Sequence, residues 1–201
     1  MKIVIIKYNA GNIRSVDFAL QRLGISASVT ADQDEIRSAD RVIFPGVGEA
    51  STTMSYLKLH KLDTLIRDLK QPVLGVCLGL QLMCSYSEEG DTECLGIFPE
   101  KVLKFDPKPE ETALFKVPHM GWNSITGLRT PLFDQISEEE YFYFVHSFYA
   151  TIGADTAATC NYLVPFSAAL QRDNFYATQF HPEKSGKTGA KILENFINLK
   201  V

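Results

Sequence analysis

The chain has 201 residues, of which 45% are hydrophobic and 22% are charged, and its formal net charge is −4. This length suits one sizeable core and is short for two, so we predict a single domain over residues 1–201. The mildly acidic balance argues against partners such as nucleic acid or an anionic membrane surface, and no stretch approaches the roughly 20 apolar residues of a membrane span.

Strand and helix patterns alternate through the first half of the chain. Apolar residues between Lys2 and Lys7 predict a buried first strand, and this start lacks a secretory signal pattern, so we expect a cytoplasmic protein. Six further elements follow: a helix ending at Gly24, a strand near Ala27–Thr30, a short helix after Asp32, a strand at Arg41–Phe44, helical stretches over 50–69 and a strand at Pro72–Val76. Such alternation predicts a parallel sheet covered by helices.

The pattern changes after Gly90. A polar, proline-broken loop is predicted at 106–111, and the chain closes with a helix over Gly186–Leu199. Between them lie three predicted strands: Tyr141–Ser147, Phe166–Gln171 and Phe175–Phe180. A turn at 172–174 joins the last two as a hairpin. The predicted fold is therefore α/β, with a largely parallel, helix-flanked sheet and an antiparallel extension in the second half.

The segment Gly75-Val76-Cys77-Leu78-Gly79 has the pattern of a nucleophile elbow, in which a strand turns sharply into a helix, and residues 80–83 after it are predicted to be amphipathic. At a helix N-terminus, exposed N–H groups favour the thiolate of Cys77 over the thiol. The alternative is a small buried residue in a strand-to-helix joint. The other cysteines, at 84, 94 and 160, form no Cys-x-x-Cys pair, so metal and redox motifs are not predicted and these three receive no role.

A second candidate segment is His181-Pro182-Glu183, directly after the last predicted strand. A thiol nucleophile needs a base, and histidine has a suitable pKa, while a carboxylate fixes its tautomer and steadies the imidazolium. His181 and Glu183 supply both groups. The alternative is a His-Pro turn beside a solvated glutamate.

The loop Pro45-Gly46-Val47-Gly48 is the third candidate, because acyl transfer needs N–H donors aimed at the developing oxyanion. The backbone N–H groups of Val47 and Leu78 are the predicted donors. A plain strand-to-helix turn is the alternative, and a phosphate loop is disfavoured because no Gly-Lys-Ser/Thr follows.

Taken together, these three segments resemble the triad-type, class I glutamine amidotransferases. Three more segments resemble the glutaminase subunits of imidazole glycerol phosphate synthase within that family: Tyr8-Asn9-Ala10-Gly11-Asn12, Pro118-His119-Met120-Gly121-Trp122-Asn123 and Tyr141–Ser147. The resemblance extends from residue 1 to the last helix. Position 10 departs from it, since Ala stands where many members carry Pro.

The resemblance implies roles for individual positions. It implies Cys77, His181 and Glu183 as the catalytic triad. Contacts to the glutamine substrate are implied for Gly46, Gly48, Gln81, Glu89, His146, Ser147 and Phe148. A partner interface is implied for Asn12, Trp122, Asn123, Tyr143 and Lys184. For the remaining histidines, His60 is expected at the surface, and His119 and His146 in structural roles.

The activity implied is hydrolysis of glutamine to glutamate and ammonia, without metal or organic cofactor. The ammonia would pass to a (β/α)₈-barrel cyclase subunit, which makes imidazole glycerol phosphate and aminoimidazole carboxamide ribonucleotide in histidine biosynthesis. We further hypothesise that the glutaminase is nearly idle alone, and that a peptide flip in Pro45–Gly48 completes the oxyanion hole when the partner binds its nucleotide. Two alternatives remain: a glutaminase serving another synthase, such as that for pyridoxal phosphate, and a catalytically silent regulatory subunit.

Overall fold

A computed structural model describes residues 1–8 and 13–200. The greater part of the segment Tyr8–Asn12, including the predicted interface residue Asn12, lies outside the described residues.

The strands of the described ranges are β1 Ile3–Ile6, β2 Ser28–Thr30, β3 Arg41–Gly46, β4 Val73–Cys77, β5 Tyr86–Ser87, β6 Thr92–Glu93, β7 Lys101–Lys104, β8 His119–Ser124, β9 Tyr141–His146, β10 Phe148–Ala150, β11 Thr156–Tyr162, β12 Val164–Arg172 and β13 Phe175–Thr178. The helices are α1 Ile13–Arg22, α2 Gln33–Arg37, α3 Ala50–Leu59, α4 Leu62–Asp68, α5 Leu78–Met83 and α6 Gly186–Ile197. Two short 3₁₀ turns lie at Pro131–Phe133 and Pro182–Lys184.

One large sheet organises the molecule. Its order is β2-β1-β3-β4-β13-β12-β10-β7-β5-β6, with β11 paired to β12. The pairs from β2 to β13 are parallel, whereas β12 is antiparallel to β13, β11 and β10. Strands β8 and β9 form a separate two-stranded antiparallel ribbon. The predicted α/β class, with its parallel sheet and antiparallel extension, is confirmed.

Alternation along the strands divides the core into two halves. In β1, Ile3 and Ile5 face one apolar cluster while Val4 and Ile6 face the other. Helices α1 and α6 cover the first face, and α2 to α5 cover the second. A parallel sheet covered on both faces needs apolar residues at nearly every position of its central strands, and all four residues of β1 are buried.

Several predicted boundaries shift in the structure. Strand β3 continues through Pro45 and Gly46, which the sequence pattern assigned to a loop, because both pair with β4. The stretch after the elbow is not amphipathic: all six residues of α5 are buried. Strand β13 ends at Thr178 and helix α6 at Ile197, each two residues before its predicted end.

Six strands lacked a sequence prediction: β5, β6, β7, β8, β10 and β11. Two of them have only two residues, too short to show an alternating pattern. Strand β8 contains residues 119–123 of the segment Pro118–Asn123, which was identified as a motif but not as a strand.

Candidate active site

Cys77 occupies the junction of β4 and α5. Its backbone is at φ 55° and ψ −108°, a conformation rarely adopted by residues other than glycine. Gly79 makes the tight turn feasible, because a Cβ at this position would collide with the carbonyl oxygen of Phe44 in β3. The Cys77 side chain is 7% exposed and lies at the carboxyl edge of the parallel sheet, where ligands of such folds bind.

His181 and Glu183 lie beside this junction because β13 is the parallel neighbour of β4. The strand carries the chain to the same sheet edge, and the 3₁₀ turn Pro182–Lys184 then folds Glu183 back. The His181 Nδ1 lies 2.8 Å from Glu183 Oε1, and both side chains are buried. With a carboxylate acceptor at Nδ1, the imidazole Nε2 is the atom available for proton exchange with a nucleophile.

The charge environment favours a protonated His181. Burial lowers the pKa of His181, but the charge of Cys77, a hydrogen bond with Cys77, and the hydrogen bond and charge of Glu183 outweigh it, raising this pKa to about 10. The arrangement thus stabilises the imidazolium form of His181.

The end of β3 packs directly against the elbow. Gly46 pairs with Cys77, and Val47 and Gly48 follow it into the site. Leu78 is the first residue of α5, so its N–H has no acceptor within the helix. Both predicted oxyanion donors, Val47 and Leu78, therefore border the same space as the Cys77 thiol.

A cavity of about 360 Å³ opens at this edge. Ten of the twelve residues predicted for the triad, the oxyanion hole and substrate binding line it: Val47, Gly48, Cys77, Leu78, Gln81, Glu89, His146, Ser147, Phe148 and His181. The remaining two touch its wall, since Gly46 pairs with Cys77 and Glu183 binds His181. Pro118 and Val145 also line the cavity and were missed by the sequence argument.

Glu89, in the wall of the cavity, is held in place by the start of α3. Its Oε2 accepts a hydrogen bond of 2.8 Å from the Ala50 N–H. Burial raises the pKa of Glu89 and the nearby charge of Glu49 adds to this, although the Ala50 bond lowers it. The carboxylate is thus an anchored acceptor facing a space large enough for an amino acid.

The side chain of Gln81 is already engaged by the protein. Its Nε2 donates to the carbonyl of Phe148 at 3.0 Å and to Oε1 of Gln179 at 3.1 Å. Gln179 Nε2 in turn lies 3.7 Å from the Cys77 Sγ. Gln179 was missed by the sequence argument; a polar residue two positions before His181, at the end of an apolar strand, is the signal that could have found it.

The predicted structural roles of His119 and His146 agree with their surroundings. His146 Nδ1 donates to the Phe148 carbonyl at 2.7 Å, leaving Nε2 to accept from His119 Nδ1 at 3.0 Å. Burial lowers the pKa of His119 to about 4; burial, together with the charges of His119 and His181, lowers that of His146 to about 3. Both rings are therefore neutral near pH 7, while His60 is exposed as predicted.

Tyr8 is a further residue whose role near the site the sequence argument did not assign. Its ring is buried against Phe44, and its hydroxyl donates a hydrogen bond to the carbonyl of Pro45, two residues before the predicted oxyanion donor Val47. Burial, together with the charge of Cys77, raises the pKa of Tyr8 well above its usual value. The tyrosine is thus a neutral donor that fixes the end of β3.

Two predicted interface residues, Trp122 and Tyr143, meet on the ribbon of β8 and β9, and a third, Lys184, lies beside it. Trp122 is 55% exposed and contacts Tyr143 with ring centroids 5.9 Å apart, and Lys184 Nζ lies 5.9 Å from the Tyr143 ring. Met120, 63% exposed, extends this surface, which we call the ribbon face (Met120, Trp122 and Tyr143). Asn123 points the other way and donates to the Asn161 carbonyl of β11 at 3.1 Å.

A cysteine at a strand end beside a buried histidine–carboxylate pair, on this sheet, is the arrangement expected of a triad amidotransferase. The chain belongs to the glutamine amidotransferase class-I family, whose profile matches residues 4–199. It is 60% identical over 199 residues to the imidazole glycerol phosphate synthase subunit HisH of Bacteroides thetaiotaomicron, covering 99% of this chain and 100% of that protein. It is 46% identical over 200 residues to the protein of the same name in Pasteurella multocida, covering 98% of each.

Solved structures agree on the fold. A glutamine amidotransferase superposes with a TM-score of 0.71 at 17% identity, over 96% of each chain. PurLQS from Thermotoga maritima gives a TM-score of 0.71 at 15% identity, over 98% of this chain and 97% of that one. Among the helices of residues 1–8 and 13–200, none combines the length and apolar character that a membrane span requires.

Proposed function

We propose that this chain is the glutaminase subunit of an imidazole glycerol phosphate synthase, with Cys77, His181 and Glu183 as its catalytic triad. The observation that carries the proposal is the buried pairing of His181 with Glu183 beside Cys77, in one cavity with Val47 and Leu78. Residues 1–201 act as one amidotransferase domain in this proposal. The similarity to the HisH proteins supports the choice of synthase.

The chemistry is acyl transfer to sulfur. The Cys77 thiolate attacks the carboxamide carbon of glutamine, and the N–H groups of Val47 and Leu78 stabilise the oxyanion. His181 gives its proton to the departing ammonia, leaving a γ-glutamyl thioester. Water then attacks the thioester while neutral His181 takes its proton, and glutamate leaves with the thiolate restored. One water is consumed, and glutamate and ammonia are released.

The cavity offers groups suited to the amino-acid end of glutamine. Glu89 presents a carboxylate for the α-ammonium group, and the Oε1 of Gln81 is a second acceptor because its Nε2 is occupied. The residues from His146 to Phe148 line the same cavity. We propose these contacts for substrate glutamine. Gly46 and Gly48 have no side chains, so in this proposal the backbone of their loop can approach the glutamine closely.

Ammonia in water would be protonated and lost, so the product is delivered to a partner. We propose a (β/α)₈-barrel cyclase subunit as that partner, docked on the ribbon face and Lys184. Asn12 and Asn123 stay predicted contacts of the same partner. The ribbon is hydrogen-bonded to the backbone of His181, whose N–H donates to the Tyr143 carbonyl at 2.9 Å. Ser185 Oγ accepts from the Tyr143 N–H and donates to the His181 carbonyl, at 2.9 and 2.7 Å.

The test is glutamate release from glutamine by the purified chain in three mixtures: alone, with the cyclase subunit, and with the cyclase and its ribonucleotide. We expect substantial release only in the full mixture and its loss in Cys77→Ala. Cys94→Ser is the matched control, since Cys94 lies outside the cavity. Full-speed release by the chain alone would reject the coupling, and release by Cys77→Ala would reject the triad.

A further inference from the structure

We infer that Gln179 is a positioning residue for the nucleophile, whose carboxamide N–H group holds the Cys77 sulfur as a thiolate. This inference rests on the proposed function, in which Cys77 is the attacking group. The Gln179 side chain is fully buried, on the short segment between β13 and His181, and its Nε2 lies 3.7 Å from Cys77 Sγ. Buried polar side chains are retained where they make specific hydrogen bonds, and this one is directed at the reacting atom.

The orientation of the Gln179 carboxamide is fixed by its neighbours. The Phe148 backbone carbonyl can only accept, so the Gln81 group 3.0 Å from it is the NH₂. The second hydrogen of that NH₂ meets Gln179 at 3.1 Å, so the Gln179 atom there is the carbonyl oxygen. Its NH₂ group is therefore the end that faces Cys77.

The Phe148 carbonyl is itself held in place. It also accepts from His146 Nδ1 at 2.7 Å, and His146 Nε2 accepts from His119. His119 thus donates to His146, and His146 donates to the Phe148 carbonyl. Gln81 donates to the same carbonyl and to Gln179, and Gln179 donates to the Cys77 sulfur. A reversed Gln179 would break its bond with Gln81, so the donor remains on the cysteine.

Two contacts of the sulfur favour opposite protonation states. The Val145 carbonyl, 3.9 Å from Cys77 Sγ, can only accept, so it favours the thiol. The Gln179 N–H can only donate to the sulfur, and donors to an anion bind more strongly than donors to a neutral group. Gln179 therefore favours the thiolate, the form that attacks glutamine.

The test is the pH profile of Cys77 alkylation by iodoacetamide in the full-length chain, in a Cys94→Ser background with the modified peptide identified by mass spectrometry. Gln179→Met keeps the approximate volume and removes the donor. We expect its alkylation rate at pH 7 to fall about tenfold, with an unchanged plateau at high pH, because hydrogen bonds to charged groups contribute about that factor. Gln179→Glu should lose more, since a carboxylate would face the thiolate.

The matched control is Gln171→Met in β12, which also loses one side-chain hydrogen bond, to the Asp173 carbonyl, away from Cys77. A Gln179→Met profile that superposes on this control would overturn the inference. If circular dichroism shows that both Gln179 variants fail to fold, Gln81→Met is used instead; it removes the orienting bond, and a profile equal to the control would again overturn the inference.

The alkylation assay contains neither glutamine nor a partner, so it separates the two claims. A shifted profile in a chain that never releases glutamate would reject the proposed function and support the Gln179 inference. Normal glutaminase activity with an unshifted profile would support the proposed function and reject the Gln179 inference.

Discussion

The contact between the end of β3 and the elbow yields a quantitative prediction for Gly46→Ala. A Cβ on Gly46 would lie 2.6 Å from the Gly79 nitrogen and 2.7 Å from the Leu78 Cβ. Real Cβ atoms essentially never come closer than 3.0 Å to another heavy atom. The Gly79 nitrogen must therefore move by 0.4 Å (3.0 − 2.6) and the Leu78 Cβ by 0.3 Å (3.0 − 2.7). Both atoms belong to the elbow or its first helical turn, and neither can swing away as a flexible side chain would.

The expected cost of this overpacking is about 2 kcal/mol of unfolding free energy, within the range for inserted methyl groups in tight cores. That cost lowers the urea midpoint by about 1 M. The displacement also separates Val47 from Leu78, the proposed oxyanion donors. Since loss of one such donor costs about 100-fold or more, glutamate release in the full mixture should fall by at least tenfold.

Gly24→Ala is the matched control, because Gly24 follows α1 with nothing within 4 Å of an added Cβ. Its φ of +74° still imposes a backbone cost of about 1 kcal/mol, so this variant loses stability without touching the site. Equal glutaminase activity in the two variants would refute the reasoning from the β3–elbow contact.

Three further predictions follow from the site. Glu183→Gln should lower the rate of glutamate release by about 100-fold with little change in KM, because the His181 imidazolium loses its charged partner; unchanged turnover would contradict this. Since the pKa of His181 is raised to about 10, its contribution to stability is complete below about pH 6.5, the unfolded value, and is lost as pH rises through 10. The destabilisation caused by His181→Asn in urea should therefore be largest at pH 6 and smallest at pH 10, and a cost independent of pH would rule out the raised value. Trp122→Ala should weaken cyclase binding by about 30-fold in calorimetry while leaving the urea midpoint unchanged, whereas Leu114→Ala, at a residue 80% exposed and outside the strands of the ribbon, should bind normally.

The parallel half of the fold was predictable because its signals are local. Every residue of β1, β3 and β4 is buried, so each strand appears as a short apolar run bounded by turn residues. Asp32 caps α2 by accepting from the Glu35 N–H at 2.8 Å, as a helix start signal requires. The helical spacing of Val16 and Leu20 likewise predicted α1, because both side chains are buried on its core side.

The second half was harder to predict, because its strands gain their stability from partners distant in sequence. Strand β8 mixes buried His119 and exposed Met120 and Trp122, and it is stabilised by pairing with β9. Strand β10 has only three residues and is placed between β12 and β7. Neither strand carries a long alternating pattern, so neither could be recognised before its neighbours were known.

The candidate site shows the same division between local and long-range information. The elbow and His181-Pro182-Glu183 are contiguous patterns, and the sequence identified both. The hydrogen bond from Gln179 to Cys77 joins residues 102 positions apart, and Gln81 meets Gln179 across 98 positions. These contacts exist because β13, from the end of the chain, lies beside β4.

Strand β9 connects the proposed docking surface to Cys77, the proposed nucleophile. Along this one strand, Tyr143 binds the His181 backbone, Val145 contacts the Cys77 sulfur and His146 binds the Phe148 carbonyl that orients Gln81. Its partner strand β8 carries the exposed Trp122 and Met120. A rigid shift of the ribbon on partner docking would therefore change one contact of His181, one contact of Cys77 and the bond that orients Gln81 at once. Movement of a surface loop would not change these contacts, because none of its backbone groups would be hydrogen-bonded to the proposed catalytic residues.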